Sequence, residues 1–371
     1  MSIIIFIIIL LVLVLVHEFG HFFTAKKFGI RVDEFGFGFP PKIFGKKFGE
    51  TEYSLNLLPI GGFVKIFGEN PNDDPAKDGA RNTNGPDEDR KFYNKAKWKQ
   101  AIVLFAGVFM NFLLAWLLFA STLFIGSPLA TDSIPKGALE QMTEKIVVLG
   151  VASKSPAEKA GLEAGDILTA IETNNEKMET PTLDEFIAFT DKPGETIRIS
   201  YLRSGEEKSV DLIPEANDEV GRALIGIMPY TLISGKFNFF ESINYGLQTT
   251  LLTSRDTIVG LKKLVFGGPE SKAIRESVIG PVGLAKVTGV VFDVGVGYLL
   301  SFAALISVSL AVINLVPFPA LDGGRLFFLL IEKIKGSRIN PKVANTANMI
   351  GFGILILLMV LVTFNDIVKF F

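Results

Sequence analysis

The chain has 371 residues, 49% of them hydrophobic and 33 of them phenylalanine, with a mean hydropathy of +0.39; that excludes an ordinary soluble enzyme and points to a membrane protein carrying a soluble insertion. A formal net charge of -2 excludes the basic footprint of a nucleic-acid binder. With no cysteine there is neither a disulfide nor a thiolate metal site, so any metal must be held by nitrogen and oxygen.

The first predicted element is a transmembrane helix over residues 2–23. It opens without a basic segment and carries no small-residue cleavage site, so it reads as a retained span rather than a secretory signal. It ends in His17-Glu18-Phe19-Gly20-His21. Histidines at i and i+4 share one helix face, where both imidazoles reach a single metal ion. Glu18 is then placed to take a proton from a metal-activated water without being a ligand. These are the only two histidines in the chain. Ionisable groups at the edge of an apolar span are costly and are kept for a task; the bland alternative, helix-end snorkelling, suits Lys26 and Lys27 better.

Next comes a loop in which Phe35-Gly36-Phe37-Gly38-Phe39-Pro40 alternates glycine and phenylalanine, and residues 51–58 alternate as a strand would before Pro59-Ile60-Gly61-Gly62. This hairpin material is expected to fold back beside the metal helix, where a strand edge can add an extended peptide. A plain amphipathic surface hairpin is the equally weighted alternative. Residues 70–90 are rich in Asn, Asp, Gly and Pro and read as a mobile loop.

A second span is predicted over 100–125. Residues 144–214 then follow the pattern of a small globular domain of short strands, with one helix over 183–190, inside a region 127–236. Over 237–266, Phe240, Ile243, Leu247 and Leu251 recur at helical spacing. This reads either as an interfacial helix within an amphipathic segment 237–297 or as a helix packed on the small domain. Two more spans, over 298–318 and 347–364, complete a C-terminal membrane region over residues 298–371, matching an N-terminal membrane region over residues 1–126. Basic residues cluster at 26–31, 91–99 and 325–342, so the positive-inside rule places those loops in the cytoplasm and the termini and 127–297 outside.

A catalytic zinc takes three protein ligands, and two histidines leave one to find. The candidate is Asp322, in Asn314-Leu315-Val316-Pro317-Phe318-Pro319-Ala320-Leu321-Asp322-Gly323-Gly324, at the inward end of the third span like His17 and His21. The two prolines break the helix there and free backbone groups. Asn314, polar within the span, either hydrogen-bonds a substrate carbonyl or oxyanion or bonds a neighbouring helix.

Together, HEFGH in a first span, FAGVFMN at 105–111 in a second, SPAEKAGLEAGDIL at 155–168 and NLVPFPALDGG at 314–324 resemble the site-2 protease family of intramembrane zinc metalloproteases, in its bacterial RseP/RasP-like branch. Pieces at 49–65 and IGPVGLAK at 279–286 extend the likeness through nearly the whole chain. The resemblance implies a polytopic α-helical membrane protein of four transmembrane helices, with a cytoplasmic-side reentrant β-hairpin and a single inserted extracytoplasmic PDZ-like α+β domain. It implies His17, His21 and Asp322 as zinc ligands, Glu18 as general base and Asn314 as a substrate contact. Gly38 and Phe39 match a membrane-reentrant loop. Residues 51–65, with Tyr53, Ser54, Leu55, Gly61 and Gly62, match an edge strand that clamps extended substrate. Pro40 stands where a glycine is common and Val108 where a proline is common.

The implied activity is hydrolysis of single-span membrane proteins, such as anti-sigma factors and signal-peptide remnants, after an upstream site-1 type protease has trimmed the ectodomain. The implied location is the bacterial inner membrane, with the PDZ-like domain as an outer size filter. Two rivals are a non-enzymatic zinc-binding PDZ membrane adaptor, which needs no Glu18, and an ion or zinc transporter, which would be expected to show an inverted repeat.

Overall fold

The computed structural model describes residues 1–69, 87–173, 176–203, 205–217, 221–267 and 278–370. Most of the polar 70–90 loop, residues 70–86, therefore lies outside the described residues. Helix α1 (Ser2–Lys27) runs unbroken through HEFGH and ends with Lys26 and Lys27 in its last turn, where cations oppose the helix dipole. A two-element β-hairpin follows, β1 (Val32–Phe48) and β2 (Thr51–Ile66). Each strand bends and contributes twice to the sheet. Residues 34–37 pair with 62–65 on one side and 52–55 on the other, while 52–55 also pair with 44–47.

That register corrects one expectation. Of residues 51–65, read from the sequence as an edge, 52–55 are flanked on both sides. The free edges are the Lys42 to Phe48 segment and the Gly61 to Ile66 segment. The root of the sheet is buried, with Val32 and Ile66 packed among Ala25, Ile30, Phe92, Val103 and Leu104. Its far end leaves Phe39, Ile43, Phe44, Leu57 and Leu58 exposed, an apolar surface that none of the described residues covers.

Helix α2 (Lys97–Ile125) stops at Gly126, whose φ of 82° closes the last turn. The β-rich domain begins directly after it, with β3 (Pro128–Leu129), a short α3 (Lys136–Leu139) and β4 (Thr143–Val151). Then come α4 (Pro156–Ala160), β5 (Ile167–Glu172), β6 (Lys177–Glu179), α5 (Leu183–Thr190), β7 (Ile197–Arg203) and β8 (Glu206–Leu212). A small ribbon of β9 (Glu215–Asn217) and β10 (Arg222–Leu224) precedes β11 (Ile227–Ser234). The main sheet runs β3-β11-β4-β5-β7-β8, with β6 on β5.

Strand β11 lies beyond the 144–214 core read from the sequence. Pro229 and a register shift at Met228/Pro229 interrupt its alternation, which hid it. Its pairing with β4 and β3 ties the chain's entry into the domain to its exit. Strand β4 is apolar on both faces for a reason. Ile146 and Val148 point into the domain core with Leu168, Phe186, Ile197 and Ile199, whereas Val147 packs with Val291, Tyr298 and Phe302 of the helices that follow.

Helix α6 (Phe239–Phe266) packs along α2 with its small, hydroxyl-bearing face: Ser242, Gly246, Thr249, Thr250 and Thr253 are buried. Trp116 Nε1 donates to Ile243 O at 2.8 Å, and a Cβ on Gly246 would meet Ala120 N at 2.7 Å. Of the stripe that signalled the helix, Phe240 and Leu251 are exposed and Ile243 and Leu247 half-buried. Small residues let helix backbones approach where apolar side chains gain nothing by leaving lipid. The main packing partner is thus α2, while Tyr245, Thr253 and Asp256 of α6 also reach the first segment of the β-rich domain.

The last four helices are α7 (Pro281–Val294), α8 (Val296–Leu315), α9 (Asp322–Lys335) and α10 (Pro341–Phe370); α7 and α9 add to the predicted spans. Among the described residues, α1, α2, α8 and residues 341–368 of α10 are long and apolar enough to cross a membrane. The hairpin sheet lies toward the start of α2 and the β-rich domain at its end, so the two occupy opposite ends of the bundle.

Candidate active site

Close contact between α1 and α2 builds the site. A Cβ on Gly20 would lie 2.7 Å from Ala106 C and 2.9 Å from Gly107 N, so only glycine allows this crossing. At Gly107 a Cβ would lie 2.7 Å from His21 Cε1 and 2.8 Å from His17 Cε1. The bare backbone of the FAG segment is therefore the wall against which both imidazoles stand.

The third wall comes from α8 and α9. Pro317 ends α8 at Leu315, and the chain turns through Pro319 and Ala320 to restart as α9 at Asp322. Ala320 is held at φ 79°, a left-handed conformation that costs a residue with a Cβ about 1 kcal/mol, and its N–H donates to Asn348 Oδ1 of α10 at 3.1 Å. A Cβ on Gly324 would strike Phe318 C at 2.7 Å, and Gly323 lies equally close under the Leu315 and Val316 carbonyls. The two glycines let α9 fold tightly back onto the end of α8, which aims Asp322 at α1.

The three side chains meet. His17 Nε2 lies 3.0 Å and His21 Nε2 3.3 Å from Asp322 Oδ2, and the two Nε2 atoms are 3.1 Å apart. Tetrahedral ligands about 2.0–2.1 Å from zinc stand about 3.3 Å from one another, so this donor set fits that ion in both spacing and chemistry. Both histidines are buried, and the imidazole planes cross at 80°. On the far side of its ring His21 Nδ1 donates to Val103 O at 2.8 Å, which leaves Nε2 free to ligate.

A cavity of about 210 Å³ opens beside them, lined also by Glu18, Asn111 and Asn314. Glu18 thus shares one small space with all the groups that would handle a scissile peptide. One turn beyond Asp322, Arg325 pairs with Glu69, whose charge holds the guanidinium above its usual protonation range. That pair ties the end of the Gly61 to Ile66 edge to the helix carrying Asp322.

The remaining predicted site residues divide. Gly62 adjoins the site, since a Cβ there would come 3.3 Å from Leu15 Cδ2 and 3.8 Å from Glu18 Cγ. Gly61, at φ 92°, lies under the Phe39 ring, and Gly38 turns the far end of the sheet at φ 80°. Tyr53 packs against Phe22 and Phe35, and Ser54 is buried and donates to Glu34 Oε1 at 2.5 Å. Both are thus occupied within the sheet, while Leu55 is exposed. Reasoning from residues alone assigned no role to Asn111. The signal was present: a polar side chain in an apolar span, four residues from Gly107 and so on the same helix face.

Comparison with known proteins supplies the family. The model of peptidase family M50 matches residues 5–358. The zinc metalloprotease RasP of Geobacillus kaustophilus is 32% identical across 100% of this chain and 98% of its own length. The zinc metalloprotease RasP of Shouchella clausii is 30% identical across 99% and 98%, and a relative from Clostridium acetobutylicum is 35% identical across 96% and 94%. That match supports a zinc metalloprotease over the adaptor and transporter readings. The chain belongs to peptidase family M50, the site-2 proteases, and is a bacterial multi-pass membrane zinc metalloprotease.

Proposed function

We propose that this chain hydrolyses peptide bonds within or near the transmembrane segment of single-span proteins, with His17, His21 and Asp322 holding zinc and Glu18 as the base. The observation that carries this reading is the convergence of those three ligand atoms beside Glu18, among helices apolar enough to span a bilayer. Zinc, when bound, supplies Lewis acidity that lowers the pKa of a coordinated water to about 7 and polarises a carbonyl. Glu18 takes the proton of the attacking water and passes it to the leaving amine. Asn314 hydrogen-bonds the carbonyl under attack.

A helical substrate keeps its carbonyls in its own hydrogen bonds and must be drawn out into an extended strand. The free edge from Gly61 to Ile66, with Gly62 against Glu18, is suited to hold it by strand addition. The exposed apolar end of the hairpin sheet, around Gly38 and Phe39, dips into the membrane as a reentrant element. In this reading the N-terminal membrane region ends near 126 and the C-terminal one begins near 298. The β-rich domain is a single PDZ-like module on the outer face of the cytoplasmic membrane and admits substrates only after an upstream protease has trimmed them. Anti-sigma factors and signal-peptide remnants are the substrate classes.

The test uses a tagged single-span model substrate in liposomes, cut by wild type and by Glu18→Gln, with zinc assayed in both. The variant is expected to keep zinc and lose activity by about 10²–10⁴-fold, the usual contribution of a general base. Wild-type rates in the zinc-loaded variant would remove Glu18 from the chemistry.

A further inference from the structure

Asn111 is 1% exposed in the apolar helix α2, and its amide has two different surroundings. One amide atom lies 3.4 Å from His17 Nδ1 and the other is buried with no partner among the described residues; Asn111 also lines the cavity shared with Glu18, Asn314 and Asp322. The backbone at this point is fixed from α8, where Ser307 Oγ donates to Asn111 O at 2.8 Å. The amide therefore stands in a set position between a histidine and the cleft.

The chemistry of His17 decides which way the amide faces. Its Nε2 is the atom turned toward His21 and Asp322; as a zinc ligand Nε2 must carry the lone pair, which leaves the proton on Nδ1. His21 follows the same arrangement, donating from Nδ1 to the Val103 carbonyl. A donor at His17 Nδ1 needs an acceptor, and the amide oxygen is the portion of Asn111 that can accept. Oxygen and nitrogen of an amide occupy equivalent positions, and the hydrogen-bond pattern assigns them. With the oxygen at His17, the NH2 group takes the buried, unpartnered position, on a residue that lines the cavity.

We propose that Asn111 acts on both sides of its amide: its oxygen holds His17 in the metal-binding tautomer, and its NH2 donates into the cleft to the carbonyl oxygen of the peptide bond being cleaved. Asn314 borders the same cavity from α8, so the two amides form a pair of donors contributed by two helices. Donors already in place where negative charge develops stabilise the transition state more than the ground state. This inference rests on the proposed ligand set.

Two variants separate the roles, tested in full-length protein in detergent by chelator competition for zinc and by kcat/KM on the model substrate. Asn111→Asp keeps an acceptor for His17 and loses the donor. It is expected to bind zinc at least as tightly as wild type while kcat falls about 100-fold. Asn111→Leu loses both functions and is expected to weaken zinc binding about 10–100-fold as well. Zinc affinity unchanged in a folded Asn111→Leu overturns the positioning role, and wild-type kcat in Asn111→Asp overturns the donor role. If Asn111→Leu does not fold, Asn111→Ala, which also removes the acceptor, takes its place in the zinc measurement, and unchanged zinc affinity there overturns the positioning role. His17→Ala serves as the separate control. Wild-type zinc affinity in that variant would mean that the ligand set is wrong, whatever Asn111 does.

Discussion

At the scale of single residues, the site depends as much on absent side chains as on present ones. Gly107 is the clearest case: the Cβ of an alanine would press on both imidazoles, at 2.7 Å from His21 Cε1 and 2.8 Å from His17 Cε1. Gly107→Ala is expected to weaken zinc binding about tenfold or more, read by chelator competition, because ligand geometry tolerates only small displacement. Gly62 is a different kind of absence: it is buried beside Glu18, and a Cβ there would meet Gly36 O at 3.0 Å and Glu18 Cγ at 3.8 Å. Gly62→Val is expected to lower kcat/KM about tenfold with zinc affinity unchanged, since a misplaced peptide loses rate before the metal is disturbed. Unaltered turnover in that variant would end the idea that this edge presents substrate. Both glycines were visible as motif members in the sequence. What they touch was not, because the contacts of a glycine are defined entirely by its neighbours.

Among the elements, the β-hairpin and helix α10 show how far periodicity reaches. Alternation over 51–58 correctly signals strand, yet a strand's place within a sheet depends on its partners, and here 52–55 are paired on both sides. The amphipathic stripe over 237–266 likewise signals helix, but in an apolar surrounding the buried face is the one with small residues. Helix α10 is nearly uncovered along its length, so its docking rests on particular contacts. At one end Asn348 receives the Ala320 N–H, and a Cβ on Gly351 would meet Pro319 C at 2.8 Å. At the other, the buried Asp366 accepts from Gly280 N at 3.0 Å and Gly283 N at 2.7 Å, capping the start of α7. Asp366→Ala is expected to cost about 1–2 kcal/mol, seen as a lowered melting temperature in detergent, since a charged cap at a helix N-terminus is lost. No change would mean that α10 is held by the Pro319 end alone.

For the whole molecule, the hairpin sheet and the β-rich domain stand at opposite ends of α2, so a bilayer around the four spans would separate them. The absence of native cysteine makes this directly measurable. Single cysteines at Ser209 in β8 and at Lys335 in α9 are expected to react with impermeant maleimide from opposite sides of sealed membranes, Ser209 from the outside. Labelling of both from one side would refute the arrangement. The β-rich domain is also joined firmly to the membrane helices. Val147 of β4 packs with Tyr298 and Phe302 of α8, the helix that carries Asn314 to the cavity beside His17 and Asp322. Whatever bears on that domain bears on a wall of the site.

The sequence by itself determined the four apolar spans, the pairing of His17 with His21 on one helix face and most elements of the inserted domain. Each depends on hydrophobicity or on a periodicity of a few residues, which are local properties. It also called for a carboxylate as third ligand, because composition left no other histidine and no cysteine, and made Asp322 the candidate by its place at the inward end of the third span. Only the tertiary structure decided that Asp322 lies 3.0 Å from a histidine 305 positions earlier, which hairpin segment is an edge, and that Asn111 stands between His17 and the cleft. Those facts are set by how close two helix backbones can come and by which way a broken helix turns. Both depend on packing between residues far apart in the chain, which no local pattern records.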